Sequence, residues 1–270
     1  MPDCWKTRLL GAALALLLGA GPARAADPVR ILAAGSLGAV LSELIAASGL
    51  PAKDIAPPVF GPAGLLRRRL MAGEAADLFA SADMAQPEAV AAANGALVVP
   101  FARNRMCVAA PGRLGLTADN MLDRMLSPDV RLAVSTPGAD PGGDYARAVF
   151  KRADAIHPGA EATLTGKGLM LLGGPGSMAP KLGRSPAAAI FLADQADALL
   201  YYCSGAAAAA AEVPGLVSVP LPDTLEVGPV YGLAILSDRP EAARLALFML
   251  SERGQAILAR GGLLPLLSGQ

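Results

Sequence analysis

The stretch Ile31–Leu44, ILAAGSLGAVLSEL, predicts a strand that passes into a helix with almost no loop between them. Its first residues are apolar, and the later apolar residues have helical spacing. Ala33, Ala34, Gly35 and Ser36 stand at the junction. Small residues let a ligand approach the backbone, where a helix N-terminus offers unpaired N–H groups and a partial positive charge. The junction therefore predicts a site for an oxyanion, to which Ser36 adds a hydroxyl donor.

Strands and helices alternate along the rest of the chain. Strand-like runs such as ADLFASAD (76–83) and VRLAVSTPG (130–138) are each followed by a helical pattern. This order predicts βαβ units, and hence an α/β fold with mainly parallel sheets flanked by helices. Ligands of such sheets bind beyond the carboxyl ends of the strands.

Other predicted strand ends also carry small or hydroxyl residues. Ala63 and Gly64 follow the second strand and Ser81 ends the third. Gly142 and Gly143 precede a later helix. A strand-to-helix turn of this kind is by itself only a turn, but several in one chain predict a ligand cleft between two lobes.

The N-terminus has the pattern of a secretory signal. Met1–Arg8 carries basic residues, Leu9–Ala20 is apolar, and Ala23–Ala25 forms an A-x-A cleavage site. We expect residues 1–25 to be removed and the mature chain to be free in the periplasm. The apolar run is too short to span a bilayer, which takes about 20 residues.

Composition narrows the function classes. The chain has 23 basic and 23 acidic residues, so nothing in its net charge favours nucleic acid as a partner. Cys107 and Cys203 remain after the signal and lie in strand-like runs that could be neighbours, either as a disulfide or as two buried thiols. With the single His157 they are too few for a usual Cys/His zinc site, and we expect no metal or cofactor.

Several segments resemble a known family. The pieces occur in family order along nearly the whole mature chain: AAGSL, GEAADLFASAD, FARNRMCVAAPG, TPGADPGGDYARAVF, ADALLYY and FMLSERGQAILARGGLLP. They resemble type II periplasmic solute-binding proteins, and most closely the molybdate-binding proteins of ABC importers. The resemblance implies two α/β lobes that close over one ligand, with residues 26–106 plus 228–270 in lobe 1 and 107–227 in lobe 2. Two hinge crossings are expected, near Asn104–Val108 and Thr224–Tyr231.

The resemblance also implies a ligand and partners. A tetrahedral oxyanion, molybdate or tungstate, would be held by hydroxyls of Ser36 and Tyr202 and by the backbone N–H of Gly142. The chain would be a monomer that delivers its ligand to ABC permease subunits and is not an enzyme. Two departures stand out: Ala63-Gly64 occupies the place of a family serine, and the loop Gly173–Ser185 does not match the family pattern.

Two other interpretations stay open. Tyr201 and Tyr202 could supply phenolates to a ferric ion or ferric chelate, although neighbours in a strand point to opposite faces. Residues 34–38, A-x-S-x-G, are close to the nucleophile elbow of hydrolases. A serine hydrolase using Ser36 would need His157 as its base.

Overall fold

The structure is a computed structural model and describes residues 27–175, 177 and 185–266. Within these residues, ten strands form two five-stranded sheets. The strands are β1 Ile31–Ala34, β2 Val59–Gly61, β3 Leu78–Ser81, β4 Leu97–Arg103, β5 Met106–Pro111, β6 Leu132–Ser135, β7 Leu169–Leu172, β8 Ala198–Tyr202, β9 Leu216–Pro220 and β10 Val230–Ile235. The first sheet has the order β2-β1-β3-β10-β4 and the second β7-β6-β8-β5-β9. The predicted signal, residues 1–25, lies outside the described residues.

Helices cover the sheets. They are α1 Gly38–Ala47, α2 Ala63–Met71, α3 Ala85–Asn94, α4 Met121–Leu126, α5 Pro141–Ile156, α6 Ala160–Lys167, α7 Pro186–Leu192, α8 Cys203–Glu212, α9 Pro240–Leu250 and α10 Glu252–Arg260. In the part of the chain that the structure describes, no helix is both long and apolar enough to cross a membrane.

The opening strand and helix meet as the sequence predicts. All four residues of β1 are buried, as expected for an inner strand of a sheet covered on both faces. A single 3₁₀ turn, Gly35–Leu37, separates β1 from α1. Ser36 therefore lies directly beyond the carboxyl end of β1.

Both sheets are mixed. In the first, β1 pairs in parallel with β2 and β3, whereas β10 pairs antiparallel with β3 and β4. The second repeats this pattern, with β6 parallel to β7 and β8, and β5 antiparallel to β8 and β9. The predicted two-sheet α/β fold is confirmed, but only half of the strand pairs are parallel. The antiparallel pairs arise where the chain passes between the sheets.

The chain passes between the sheets twice. It leaves the first sheet after Arg103 and enters the second at Met106, and it returns between Pro220 and Val230. These passages fall within or beside the predicted hinge crossings. The exact lobe boundaries, 26–106 plus 228–270 and 107–227, stay predictions.

One carboxylate ties the two crossings together. Glu226, on the second crossing, accepts hydrogen bonds from the backbone N–H of Met106 at 3.2 Å and of Gly228 at 2.9 Å. It also accepts one from Arg105 Nε at 3.2 Å. The two connecting segments are therefore held side by side.

A disulfide joins Cys107 on β5 to Cys203, the first residue of α8. The two cysteines are 96 residues apart in the chain. Cross-links of this span restrict the unfolded chain strongly. Because Cys203 directly follows Tyr202, the cross-link also fixes the end of β8.

We expect loss of this disulfide to lower the free energy of unfolding by about 2–4 kcal/mol. Urea unfolding of the oxidised protein with and without a reductant measures the effect. The double variant Cys107→Ser/Cys203→Ser is the control and should be insensitive to the reductant. An oxidised protein that is no more stable than the double variant would contradict this expectation.

Candidate functional site

Hydroxyl side chains gather at the ends of parallel strands. Ser81 is the last residue of β3, Ser135 of β6 and Tyr202 of β8, while Ser36 follows β1 by two residues. The strands β1 and β3 are parallel neighbours, and so are β6 and β8. Each sheet therefore presents two hydroxyls at one edge, where ligands of α/β sheets bind.

All four tyrosines of the chain form one cluster around Tyr202. Its ring centroid lies 5.3 Å from that of Tyr201, 6.1 Å from that of Tyr145 and 5.8 Å from that of Tyr231. Each pair has the edge-to-face arrangement that aromatic rings favour. Because Tyr231 belongs to β10 and Tyr202 to β8, the cluster joins the two sheets.

A chain of hydrogen bonds runs from the first strand to the second sheet. Ser36 Oγ and the Tyr231 hydroxyl are 3.2 Å apart. Asn104 Nδ2 donates to the Tyr231 hydroxyl at 3.2 Å and to Ser204 Oγ at 2.8 Å. Asn104 is buried and lies on the first crossing. Ser36 is thus oriented by Tyr231 of β10, which Asn104 of the first crossing holds in turn.

Among the described residues, three buried hydroxyls have no hydrogen-bond partner, and two of them belong to this site, the third being Ser237 Oγ just after β10. Ser135 Oγ and the Tyr202 hydroxyl are both shielded from solvent, on residues that are 0% and 1% exposed. A buried polar group left unpaired costs about 1–3 kcal/mol. This cost is offset when a ligand accepts their hydrogen bonds.

The same burial bears on the ferric alternative. It raises the pKa of Tyr202 well above its ordinary value, and it also raises the pKa of Tyr201. The Tyr201 ring packs on α8, where a methyl group at Gly205 would lie 2.3 Å from Tyr201 Cε1. Phenolates are the form that binds ferric ion, so a ferric ion here would have to lower these raised pKa values through its own charge.

Asp140 stands at the N-terminus of α5 as its N-cap. Its Oδ1 accepts a hydrogen bond from the Gly142 N–H at 2.8 Å, so the N–H assigned to the ligand by resemblance is paired within the chain here. Burial, followed by the charges of Asp144 and Asp83, raises the pKa of Asp140 to about 6. The carboxyl group is therefore easy to protonate near neutral pH.

Gly64 connects the two sheets directly rather than offering a hydroxyl. Its N–H, in the first turn of α2, donates to the Ala139 carbonyl at 3.0 Å. A methyl group at Gly64 would lie 2.6 Å from the Gly138 carbonyl oxygen and 2.8 Å from that of Ala139. Only glycine permits this approach, and Ala63 beside it is fully buried.

Ser81 and Gly143 have structural partners. The buried Ser81 Oγ donates to Asp83 Oδ1 at 2.7 Å. Asp83 Oδ1 also accepts a hydrogen bond from the Gln86 N–H of α3. A methyl group at Gly143 would lie 2.4 Å from Pro137 N, so α5 packs here against backbone. Their predicted ligand contacts stay predictions.

The hydrolase alternative lacks a base within reach of Ser36. His157, the single histidine, is exposed at the C-terminal end of α5. The tyrosine cluster contacts the other end of this 16-residue helix, which is about 24 Å long. Ser36 is oriented instead by Tyr231.

Four residues of the site were missed in the sequence: Asn104, Ser135, Asp140 and Tyr231. Ser135 follows the last apolar residue of the strand-like run 130–138, just as Ser81 follows the apolar residues of its own run. The search for hydroxyl residues at strand ends that selected Ser81 therefore also selects Ser135. The D-P-G-G pattern at 140–143 marks Asp140 as an N-cap. Nothing local marks Asn104 and Tyr231, whose contact joins residues 127 apart in sequence.

A model for the family of bacterial extracellular solute-binding proteins matches residues 29–264. The uncharacterized protein PM1146 of Pasteurella multocida (strain Pm70) is 37% identical over 209 residues, which are 76% of this chain and 86% of that protein.

Solved structures share the fold. The periplasmic molybdate-binding protein of Azotobacter vinelandii superposes with a TM-score of 0.66 at 19% identity, covering 90% of this chain and 100% of that one. The sulfate-binding protein SubI of Mycobacterium tuberculosis H37Rv gives a TM-score of 0.66 at 17% identity, covering 89% and 87%. At these identities the similarity shows a common two-lobe architecture.

Proposed function

Because the chain belongs to the bacterial extracellular solute-binding proteins, we propose that it is the periplasmic binding component of an ABC importer for a tetrahedral oxyanion. Molybdate and tungstate are the first candidates, since the sequence resembles molybdate-binding proteins. The ligand lies between the two sheets and is handed to permease subunits by a monomeric protein without catalytic activity.

The unpaired hydroxyls of Ser135 and Tyr202 carry this proposal. They are buried donors at the ends of neighbouring strands. Ser36, at the end of a strand in the other sheet, is linked to them because its partner Tyr231 packs against the Tyr202 ring. A hydrogen bond to a charged group contributes about 1.5–3 kcal/mol. Three or four such bonds to one anion are compatible with micromolar affinity, about −8 kcal/mol.

The described groups that act on the site residues include no cation and so favour binding of an anion by dipoles. The groups that shift the pKa values of Asp140 and the four tyrosines are carboxylates, hydroxyls and backbone or side-chain amides. No lysine or arginine is among them in the described part of the chain. An anion here would be held by hydroxyl and peptide dipoles.

Closure of the lobes is supported by backbone contact across the cleft. Besides the Gly64–Ala139 hydrogen bond, Arg68 Nη1 donates to the Gly138 carbonyl at 3.4 Å. Both bonds must break before a ligand enters or leaves. This arrangement corresponds to the ligand-bound, closed form of a two-lobe binding protein.

Titration calorimetry with molybdate, tungstate, sulfate and ferric citrate tests the proposal. We expect heat with at least one oxyanion, and an increase in Tm that grows with its concentration. Heat with ferric citrate alone, together with a visible charge-transfer colour, would overturn the oxyanion assignment in favour of the ferric alternative. Turnover of an activated ester that Ser36→Ala abolishes would favour the hydrolase.

A further inference from the structure

Asp140 places a carboxyl group beside the two unpaired hydroxyls. Gly142 lies at the centre of this arrangement: a methyl group there would be 3.0 Å from Ser135 Oγ, 3.2 Å from Asp140 Oδ1 and 3.3 Å from Tyr202 Cε2. Three side chains thus surround one point at the N-terminus of α5. An anion that accepts from Ser135 at this point would therefore lie close to Asp140 and to the Tyr202 ring.

Among the described residues, the groups around Asp140 do not neutralise its charge. Gly173, in the turn after β7, packs against its side chain and brings no charge. Asp144 on the same helix and Asp83 beside β3 are carboxylates that act on it. The tyrosines of β8 and β10, Tyr201, Tyr202 and Tyr231, are near enough for the Asp140 charge to raise their pKa values, and they bring no positive charge.

The described arginines beside this helix N-terminus interact with groups other than Asp140. Arg68 of α2 donates to the Gly138 carbonyl, and Arg147 of α5 acts on Asp144. Within the part of the chain that the structure describes, an ionised Asp140 would therefore repel a dianion at this place without a compensating cation.

Protonation removes this repulsion. In the closed arrangement, burial already raises the pKa of Asp140 to about 6. A dianion beside it raises the pKa further, because a nearby negative charge disfavours the ionised form. The protonated carboxyl group is also a hydrogen-bond donor, which the ionised group is not.

We propose that Asp140 determines the specificity of this site by holding one proton between its carboxyl group and the bound oxyanion. A fully ionised dianion, such as sulfate or molybdate, binds with a proton from solvent: the proton joins the Asp140 carboxylate, which then donates to an anion oxygen. A protonated oxyanion, such as hydrogen phosphate, brings its own proton and donates it to the ionised carboxylate. This inference rests on the proposed function.

The pH dependence of binding separates the two ligand classes. Above the pKa of Asp140 we expect the affinity for molybdate or sulfate to fall about tenfold per pH unit, with uptake of about one proton per anion. Hydrogen phosphate should bind with nearly constant affinity between about pH 7.5 and 8.5, without proton uptake. Calorimetry in buffers of different ionisation enthalpy measures both quantities.

Asp140→Asn tests the residue itself. Asparagine is as good an N-cap as aspartate and can keep the bond from Gly142, while its amide donates to the anion at every pH. We expect pH-independent binding of molybdate or sulfate without proton uptake, an affinity at least about tenfold above wild type near pH 8.5, and weaker binding of hydrogen phosphate. Asp144→Asn is the matched control in the first turn of the same helix. Asp144 is exposed, and its variant should keep the pH slope.

The outcomes distinguish this inference from the proposed function. Wild-type protein that binds molybdate or sulfate with flat affinity and no proton uptake would overturn the role of Asp140 and leave the oxyanion function intact. If neither wild type nor Asp140→Asn binds any of these anions, both fail. Should the variant not fold, proton uptake by the wild type decides alone.

Discussion

Tyr202→Phe should make the ligand-free protein more stable and its oxyanion complex weaker. The Tyr202 hydroxyl is buried and unpaired, so its removal relieves the cost of keeping a polar group dry. Because the open form lets this hydroxyl reach water, we expect the free energy of unfolding of the ligand-free protein to rise by only about 1 kcal/mol, the lower end of the cost of an unpaired buried group. The complex loses a hydrogen bond to a charged group, and affinity should fall about tenfold or more. Urea unfolding and calorimetry with molybdate or sulfate measure the two effects.

Tyr231→Phe is the matched control for this variant. The Tyr231 ring lies in the same cluster, but its hydroxyl has two partners, Ser36 and Asn104. Its removal should therefore lower the free energy of unfolding. Ser135→Ala should repeat the behaviour of Tyr202→Phe, since its hydroxyl is also unpaired. If Tyr202→Phe were as destabilising as Tyr231→Phe, the Tyr202 hydroxyl would not be reserved for a ligand.

Gly64→Ala should weaken ligand binding about 100-fold and leave the open protein as stable as the wild type. The added methyl group would press on the carbonyl oxygens of Gly138 and Ala139 at 2.6 and 2.8 Å. These are backbone atoms, so the contact is relieved only by moving the lobes apart. Affinity falls because the closed form, which alone encloses the ligand, becomes a small fraction of the population.

Calorimetry and small-angle scattering measure the effect of Gly64→Ala. The radius of gyration of wild type should decrease on adding the anion, and that of the variant should not. Gly61→Ala, at the end of β2, is the control: its methyl group would lie 3.4 Å from Leu66 Cδ2, an ordinary contact. Wild-type affinity in Gly64→Ala would show that the Gly64–Ala139 bond is not part of the bound form.

The sequence predicts the inner strands better than the edges. The strands β1, β3, β6 and β8 are short, apolar and bounded by turn residues, so each is apparent from its local pattern. The strands β4 and β9 were not predicted. Both are last in their sheets, and β4 contains Pro100, which is tolerated only at an edge. Their existence depends on pairing with β10 and β5, which local patterns do not reveal.

The candidate site divides in the same way. Ser36 is predicted from a strand end and a helix start, which are local features, whereas Tyr202 is predicted from the resemblance to the family. The partners of their hydroxyl groups could not be predicted locally. The Tyr202 hydroxyl is unpaired, whereas the Ser36 hydroxyl bonds to that of Tyr231. Both results depend on how the two sheets meet. Gly64 illustrates this most clearly, since a position that lacks the family hydroxyl makes a direct contact between the lobes.

Helix α5 spans the distance from the cleft to the crossings, so a rotation about the crossings would be enlarged at its first turn. Its first turn begins beside Ala139, and Arg152, eleven residues beyond Pro141, donates to the Glu226 carbonyl. Those residues are about 16 Å apart along the helix axis, so a 10° rotation about the Glu226 pivot displaces the far end by about 3 Å. That displacement breaks the 3.0 Å bond between Gly64 and Ala139. A rotation of about 10° would therefore open the cleft enough for an ion to enter. A fluorophore pair at positions 68 and 138 should report the change in distance better than a pair near Arg105, close to the pivot.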